Sequence, residues 1–435
     1  MSRQRISPPG LLTFGIIWFG QLVSDLGSGL TGFGLGVYLY QETGSAMQFA
    51  LNSFFYVLPV GLMAVFSGAL ADRWNRRLLL ILADSGQALA TLAIALLLLA
   101  GQLAVWHIYA LTIISAIMHS FQGPAYEASV GALVPRQHLA RAASMAEIKR
   151  AVSGLVTPAL AGFLVVVIGI EGVLLIDLAT FLVAIVTLSV VRIPDPPLAS
   201  EEAKTRPSLW HDLIFGWRYL RERPGLLGLL SVSFAHDFFA NAALVLIVPL
   251  VLSLASADEA GIVIAAGSMG LLLGSLLIVI WGGARRRVDL YLASAAFNGV
   301  ALIIAGCAPA VVIVAAGRLL FSLGFSVGAA ALRPTLQIKI APAVQGRVFG
   351  MIGALAMLTE APAYPLGGFL ADRVFAPLMA ESGALAGLLG PVIGDGADRG
   401  MGLLMIVFGV CLILTALIGS SFPRIRRLED ELPDV

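Results

Sequence analysis

The chain has 435 residues, of which 59% are hydrophobic and only 12% are charged, and its formal net charge is +1. Soluble domains are typically about 45–50% apolar and about 25% charged, so this composition excludes an ordinary soluble protein and indicates an integral membrane protein. The small net charge provides no broad basic surface for nucleic acid, and two cysteines are too few for a disulfide framework.

Apolar runs between charged or Pro/Gly-rich breaks predict twelve membrane helices, since about 20 apolar residues are needed to cross a bilayer. The first run is long and lacks a cleavage site, which indicates a helix and not a removed signal peptide. The predicted spans are 11–39, 47–70, 78–101, 106–130, 147–169, 173–191, 225–252, 259–281, 288–306, 310–332, 347–370 and 401–421.

The positive charges of the connections support this count. With twelve spans and the N-terminus inside, all lysines and arginines except Arg318, Arg373 and Arg399 fall in segments on one side. Positively charged connections are retained in the cytoplasm. We therefore expect both termini to be cytoplasmic, in the plasma (inner) membrane of a multi-pass protein.

The longest polar gap divides the spans six and six. We expect an N-terminal bundle over 1–191, a cytoplasmic linker over 192–224, a C-terminal bundle over 225–422 and a tail over 423–435. Within the linker, apolar residues recur at helical spacing in SLWHDLIFGWRYLRER, which predicts an amphipathic helix at the membrane surface. Three pairs of short, similar sequences at corresponding positions of the two halves indicate a duplicated six-helix unit, as in many transporters.

The stretch GALADRWNRR (68–77) follows span 2. Together with the twelve spans and the central loop, it resembles the loop signature of the major facilitator superfamily, with Asn75 where many members have glycine. Four further stretches resemble the branch of this family that contains macrolide-efflux and enterobactin-exporter-type proteins. They are GQLVSDLGSGL (20–30), YQETGSA (40–46), LVPRQHLARAAS (133–144) and LWHDLIFGWRYL (209–220).

The resemblance implies an all-α fold of two six-helix bundles that alternate in access, and a gating role for the loop signature. On this hypothesis Gly68 permits a close helix approach, and Asp72 lies at the positive N-terminus of span 11 near 345–347. The arginines would bridge to acids such as Asp84 or Glu147. The expected gating residues are Gly68, Asp72, Arg73, Arg76 and Arg77.

Charged side chains within spans are expensive and are functional candidates by default. In the first half, Gln21, Asp25 and Ser28 share one helix face. Span 4 carries a polar stripe, and Glu127 lies beside it; the stripe consists of Thr112, Ser115, His119, Gln122, Tyr126 and Ser129. Alternatively, the polar side chains of this stripe only hold neighbouring helices together. Asp84, near the basic loop, and Asp177, near the outer surface, are expected to have structural roles.

In the second half, Ser233, Asp237 and Asn241 share a face of span 7, and His236 beside Asp237 is able to share or relay a proton. Alternatively, a backbone carbonyl satisfies His236. Glu360 and Tyr364 share a face of span 11, where prolines disturb the backbone. Arg318 either extends to the surface or pairs with Glu360 or Asp237. Glycines 267, 270 and 274 of span 8 predict a close helix approach.

The charged residues within spans favour a secondary transporter. The resemblance implies that it exports a small amphipathic compound, such as a drug, macrolide, siderophore or natural product, and we expect inward proton flow to drive the export. The expected proton-coupling residues are Asp25, Glu127, Asp237, Glu360 and His119. The expected substrate-cavity residues are Gln21, Ser28, Gln122, Tyr126, Asn241, Arg318 and Tyr364.

Other functions remain open: a lipid or lysolipid translocator, a nutrient symporter, or a receptor or assembly protein that moves nothing. Nothing favours an enzyme, because the sequence has no phosphate-binding G-x-x-x-x-G-K-[ST] and no Cys/His cluster of the kind that binds metal. We expect no cofactor, no nucleic-acid partner, contact with the lipid bilayer, and a monomer.

Overall fold

The computed structural model describes residues 9–71, 74–191, 193 and 209–431, and these residues form helices and connections without strands. The long helices arise where apolar residues follow one another without a charge, because a membrane leaves the backbone no hydrogen-bond partners other than its own. The first five are α1 Pro9–Thr43, α2 Ala46–Ala71, α3 Arg76–Leu99, α4 Val105–Leu133 and α5 Leu139–Val190, with a 3₁₀ turn at Arg136–His138.

The later part of the chain has more and shorter helices. They are α6 Leu209–Arg221, α7 Pro224–Leu244, α8 Ile247–Leu252, α9 Ala257–Trp281, α10 Arg287–Gly306, α11 Val311–Lys339, α12 Gln345–Glu360, α13 Ala363–Leu370, α14 Ala376–Met379, α15 Ala386–Ile393, α16 Arg399–Ser421, α17 Pro423–Arg426 and α18 Leu428–Glu431. A 3₁₀ turn lies at Pro342–Val344 and a π-helical turn at Ala371–Phe375.

Among the described residues, eight helical segments are long and apolar enough to cross a membrane. One of them, Leu139–Val190, has 52 residues and contains two of the predicted spans. Gly169 interrupts it with a φ of 70°, a left-handed conformation that favours glycine. Large apolar side chains such as Val279 and Val312 are exposed, as a lipid-facing surface requires. The number of twelve spans stays a prediction.

The chain divides into two compact units, 1–38 with 55–205, and 39–54 with 206–435. In the first unit, α3 packs against α4 and α5. Its core contains Phe14, Leu80 and Leu188, each almost fully buried. The predicted bundle boundaries remain predictions.

In the second unit, α10 packs between α11 and α16, and α9 packs on α11. Close approach depends on glycine: a Cβ at Gly299 would meet the carbonyl of Gly409, and a Cβ at Gly270 would meet the carbonyl of Leu319. The close approach predicted for the span 8 glycines is therefore confirmed. Small residues at such contacts let helix backbones pack directly on one another.

The linker helix α6 packs on α12. The Nε atom of Arg347 lies 3.1 Å from Oδ1 of Asp212, and Gly216 leaves room for Met351. Ile214 and Trp217 remain exposed on α6. The side chains of Leu209 and Trp210 lie outside the described residues, and the location of α6 at a membrane surface stays a prediction.

The loop signature is described in part, because Asp72 and Arg73 lie outside the described residues. Asn75 caps α3, where its Oδ1 accepts from the backbone N–H of Leu78 at 2.9 Å. Arg77 donates from Nε to the carbonyl of Leu188 at 2.7 Å and from Nη2 to that of Ser189. A cation is stabilised at these last carbonyls of α5 by the negative end of the helix dipole.

Two expectations about this loop are wrong. Arg77 does not bridge to Asp84 or Glu147, because Asp84 points into the unit and Glu147 pairs with Arg150. Gly68 is not a point of close approach, since a Cβ there would meet open space. Arg76 is half-buried, and its Nε has no hydrogen-bond partner among the described residues.

Candidate functional site

An ion pair lies within the first unit. The Nζ atom of Lys149 on α5 lies 2.6 Å from Oδ2 of Asp25 on α1, and the two side chains are 16% and 24% exposed. The same ammonium lies 5.1 Å from the ring centroid of Tyr126 on α4. The sequence identified Asp25 and Tyr126 but counted Lys149 as a connection charge. The structure places its ammonium against both.

Asp84 is fully buried and lies within electrostatic reach of both members of this pair. Its carboxylate accepts from Nε2 of Gln21 at 2.9 Å and from Nε2 of Gln122. The expectation that Asp84 reaches the basic loop is therefore wrong, because the side chain points into the unit toward two amides. We call Gln21, Asp25, Asp84, Gln122 and Lys149 the Asp25 cluster. It joins three predicted residues to two that the sequence did not assign to a site.

Asp177 is also buried. Its Oδ2 accepts from the hydroxyl of Thr31 at 2.8 Å and from that of Thr91 at 3.1 Å. Ser28, a predicted cavity residue, also lies within hydrogen-bonding reach of this carboxylate. Asp177 therefore links α1, α3 and α5 through hydroxyl donors.

Helix α4 contributes two more predicted residues. The ring of His119 lies 5.9 Å from that of Tyr56, centroid to centroid. Glu127 is exposed, so the structure does not bring it into the Asp25 cluster. Buried hydroxyls of Ser24, Tyr126 and Thr157 have no hydrogen-bond partner among the described residues. The first unit thus holds buried charge together with spare hydrogen-bonding capacity.

The second unit has a polar cluster around His236, which is 3% exposed. Its Nδ1 lies 3.0 Å from Oδ1 of Asp237, and its Nε2 lies 3.1 Å from Nδ2 of Asn298 on α10. Ser233 donates to Oδ2 of Asp237 at 3.4 Å. We call Ser233, His236, Asp237 and Asn298 the His236 cluster. Sequence reasoning missed Asn298, because one neutral amide in an apolar run gives no signal.

Three further predicted residues lie on α7, α12 and α13. Asn241 donates to the backbone carbonyl of Asp237 at 2.8 Å, and its Oδ1 accepts from the hydroxyl of Tyr364 at 3.3 Å. Glu360 is half-buried at the end of α12 and interacts electrostatically with Asp237. These contacts tie α7 to α13 within the second unit.

Arg318 does not pair with Glu360 or Asp237, the two acids that the sequence analysis named as its possible partners. Its Nη1 donates to Oγ of Ser322 on its own helix at 3.1 Å, and its guanidinium packs against Gly267 of α9. The buried Nε has no hydrogen-bond partner among the described residues. The side chain is directed toward α9, which explains why pairing with Glu360 or Asp237 is not observed.

Asp372 forms a contact that the sequence analysis did not identify. Its carboxylate accepts from the hydroxyl of Ser45 at 2.6 Å and from the backbone N–H groups of Ala46 and Met47 at 3.1 and 2.9 Å. These groups form the N-terminus of α2, where an anion is favoured. A cavity with about 1160 Å³ of empty space adjoins this contact. The signal was available, because the pattern G-x-L-A-D-R occurs at 68–73 and again at 368–373.

Within the ranges that the structure describes, no group of three or more His, Cys, Asp or Glu side chains is placed to hold a metal ion. The two polar clusters contain carboxylates, amides, a hydroxyl, one lysine and one histidine. Such groups bind protons and polar parts of organic molecules.

Comparison with known proteins identifies the family. The Major Facilitator Superfamily model matches residues 17–255. Macrolide efflux protein A of Streptococcus pyogenes is 29% identical over 377 residues, covering 83% of this chain and 90% of that protein. Enterobactin exporter EntS of Shigella flexneri is 26% identical over 426 residues, covering 97% and 94%.

Solved structures agree in fold. A bacterial homolog of the human lysosomal transporter Spinster superposes with a TM-score of 0.72 at 14% identity, covering 94% of this chain and 96% of that one. The nucleoside transporter NupG superposes with a TM-score of 0.63 at 13% identity, covering 94% and 99%. The family consists of transporters and not enzymes, and the chain is a membrane transporter that belongs to the Major Facilitator Superfamily.

Proposed function

We propose that this transporter exports an amphipathic organic compound by alternating access and is driven by inward proton flow. Relatives named for macrolide efflux and enterobactin export support an organic cargo. The observation that carries the proposal is the Asp25 cluster, where an ion pair adjoins a fully buried carboxyl group. Ionisable groups inside a membrane protein mark ion and substrate pathways.

The proposed architecture has twelve spans in two six-helix bundles, 1–191 and 225–422, joined by a cytoplasmic linker over 192–224. The tail over 423–435 is cytoplasmic, as is the N-terminus, and the protein acts as a monomer in the inner membrane. The concentration of lysine and arginine in alternate connections supports this topology.

The proposed proton carriers are Asp25, Asp237, Glu360, His119 and Glu127. Asp25 and Asp237 are the strongest candidates, since each carboxylate lies in a polar cluster and touches a group that is able to carry positive charge. Glu127 is the weakest, because it is exposed and lies outside the Asp25 cluster. A proton that neutralises a carboxylate lowers the cost of moving the group through an apolar environment.

The proposed substrate surface combines charge with aromatic rings. Tyr126 contacts the ammonium of Lys149, and the rings of Phe55 and Tyr109 lie 5.0 Å apart, centroid to centroid. Aromatic side chains provide apolar contact area, while the polar groups of Gln21, Gln122 and Ser28 provide hydrogen bonds. In the second unit, the proposed substrate-binding residues are Asn241, Tyr364 and Arg318. This mixture suits an amphipathic molecule.

Gating is proposed to involve both copies of G-x-L-A-D-R. The loop at 68–77 is a cytoplasmic latch on this proposal, with Asp72 and its arginines as the bonding groups. Asp372 occupies the opposite end of the predicted topology, where its contact with the N-terminus of α2 supports a second latch. Alternate formation of the two latches is one way to give alternating access.

A thermal-shift screen of the purified protein tests this function. The panel contains a macrolide, a catecholate siderophore and a lysolipid, each at two pH values. A ligand at about 100 times its Kd stabilises the folded protein by about 2.7 kcal/mol. Because exchange requires the substrate to bind best after proton release, we expect stabilisation by the macrolide or the siderophore, and more of it at the higher pH.

Asp25→Asn is the test variant and Asp430→Asn is its matched control. Both replace a carboxylate by an amide, the first within the Asp25 cluster and the second at an exposed position. Asp25→Asn is expected to remove the pH dependence, and Asp430→Asn is expected to retain it. Stabilisation by lysolipid alone, without pH dependence, would replace the proposal with lipid translocation. No response to any member of the panel would contradict export of such compounds.

A further inference from the structure

His236 is held between an acid and an amide. Its Nδ1 lies 3.0 Å from the carboxylate of Asp237, and its Nε2 lies 3.1 Å from the carboxamide nitrogen of Asn298. His236 and Asn298 are 3% and 1% exposed. Both ring nitrogens therefore have a partner inside the second unit.

We propose that His236 is a proton-binding site of this transporter and that Asn298 is the positioning residue that adapts to the proton. This inference rests on the proposed proton coupling and names the group that carries the proton in the second unit. In the neutral ring, Nδ1–H donates to Asp237 and Nε2 accepts from the Asn298 amide. In the charged ring both nitrogens donate, and a half-turn of the carboxamide brings Oδ1 of Asn298 to Nε2 as the acceptor.

The half-turn is what distinguishes asparagine from other side chains at this position. A carboxamide has a donor on one side and an acceptor on the other, in nearly the same shape. It therefore satisfies Nε2 before and after proton binding, without movement of the backbone. A fixed donor or a fixed acceptor would favour one charge state alone.

Charge also favours proton binding. When the ring is neutral, the formal charge of the His236 cluster is that of the Asp237 carboxylate. Among the described residues, Asp237 has an ion-pair contact with His236 and with no lysine or arginine. A proton on Nε2 converts the cluster into a neutral ion pair, which stabilises the Asp237 carboxylate, a side chain that is 25% exposed.

The surroundings leave room for the proton and for the amide. Oδ1 of Asn298 is buried without a hydrogen-bond partner among the described residues, and it lies against Gly324, where a Cβ would overlap it. A cavity with about 380 Å³ of empty space is lined by His236, Asp237 and Asn298. Part of this space is open to solvent, which gives a proton access to the cluster.

The other titratable groups around His236 are few. On α10, Tyr291 contacts the ring edge-on at 6.4 Å between centroids. Glu360 on α12 lies within electrostatic reach of the Asp237 carboxylate, and Tyr364 on α13 donates to Asn241. Arg399 on α16 is bound to the carbonyls of Ile393 and Gly306, away from the ring. From α11, an apolar phenylalanine ring stacks on the imidazole.

Nitrogen-15 NMR of the full chain in lipid bilayers, labelled at its five histidines, reports the charge of each ring. The His236 signal is assigned by its loss in His236→Gln. Histidine changes charge between about pH 5 and about pH 8, so spectra are recorded across that range. The proposal requires a charged His236 ring in part of that range in the wild type.

Asn298→Leu keeps the shape of the side chain and removes both the donor and the acceptor. The charged ring then has no acceptor at Nε2, and its proton affinity is expected to fall about tenfold or more, which is one pH unit. Asn298→Asp places a second acceptor there and is expected to keep the ring charged to higher pH than in the wild type. Ser294→Ala is the matched control, since its hydroxyl lines the same cavity but donates to the carbonyl of Tyr291 on its own helix.

Two results would overturn the proposal. One is a His236 ring that stays neutral across the whole pH range in the wild type. The other is a His236 titration that is the same in both Asn298 variants as in the wild type. If Asn298→Leu does not fold, Asn298→Asp still decides between the outcomes. The NMR titration needs neither substrate nor flux, so it separates the two proposals. If export is proton-driven but the Asn298 variants do not change the His236 titration, this inference alone is overturned. An Asn298-dependent titration without proton-driven export overturns the proposed function alone.

Discussion

The Nζ atom of Lys149 lies 2.6 Å from Oδ2 of Asp25, so two residues 124 positions apart in the chain neutralise each other inside the first unit. Each of these side chains is mostly removed from solvent. Removal of one partner leaves the other with an uncompensated charge in an apolar environment, whereas removal of both leaves none.

Lys149→Gln and Asp25→Asn are each expected to lower the free energy of unfolding by about 1.5–3 kcal/mol, the contribution of a hydrogen bond to a charged group. The double variant is expected to lose less than the sum. Thermal unfolding of the purified protein gives this double-mutant cycle. Arg150→Gln is the control, because its ion pair with Glu147 is exposed and should contribute little. Strictly additive losses would show that the two side chains do not interact.

A second prediction concerns the amides that hold Asp84. Gln122→Leu removes a donor to a fully buried carboxyl group and is expected to cost about 1–3 kcal/mol of stability. Gln102→Leu makes the same change at an exposed position and should be nearly neutral. Equal melting temperatures for the two variants would mean that the Gln122 amide does not stabilise Asp84.

A third prediction concerns Asp372, which accepts from the backbone N–H groups of Ala46 and Met47. Asp372→Ala frees both groups, and the loss of about 1.5–3 kcal/mol corresponds to about 10–100-fold faster amide exchange in this segment. Hydrogen–deuterium exchange of peptides covering 44–50 measures it. Asp398→Ala, at the same cavity, is the control. Unchanged exchange in Asp372→Ala would show that the carboxylate does not hold α2.

A fourth prediction compares two glycines. A Cβ at Gly299 would meet the carbonyl of Gly409, whereas a Cβ at Gly15 would meet open space. Gly299→Ala is therefore expected to force α10 and α16 apart and to cost about 1–3 kcal/mol. Gly15→Ala should leave stability unchanged or raise it by up to about 1 kcal/mol through helix propensity. Similar melting temperatures would contradict the close packing of α10 on α16.

Much of the helix pattern was predictable, because long apolar runs in a membrane protein have few alternatives to a helix. The predicted break after residue 169 coincides with the left-handed Gly169. The prolines of span 11 do interrupt the helix, since α12 ends at Glu360 and α13 begins at Ala363. Short helices after the π-helical turn at Ala371–Phe375 were not predicted, because their apolar runs are too brief to show a period.

The sites were less accessible to sequence reasoning. Periodicity places Gln21 and Asp25 on one face of α1, but it does not show what that face meets. Lys149 lies at the start of the predicted span 147–169 and was counted with the connection charges, whereas in the structure it lies within α5, which begins at Leu139. Asp84 was assigned to the nearby basic loop, whereas its partners come from α1 and α4. Contacts between distant segments depend on packing, which one sequence does not reveal.

The most direct test of proton-coupled export is a flux assay in reconstituted vesicles. A labelled macrolide is added outside vesicles whose interior is acidic, with wild type, Asp25→Asn and Asp430→Asn in parallel. Wild type and Asp430→Asn are predicted to accumulate the macrolide until an ionophore collapses the pH gradient, and Asp25→Asn is predicted to accumulate none. Accumulation that is unaffected by the ionophore, or that is equal in Asp25→Asn, would contradict the account.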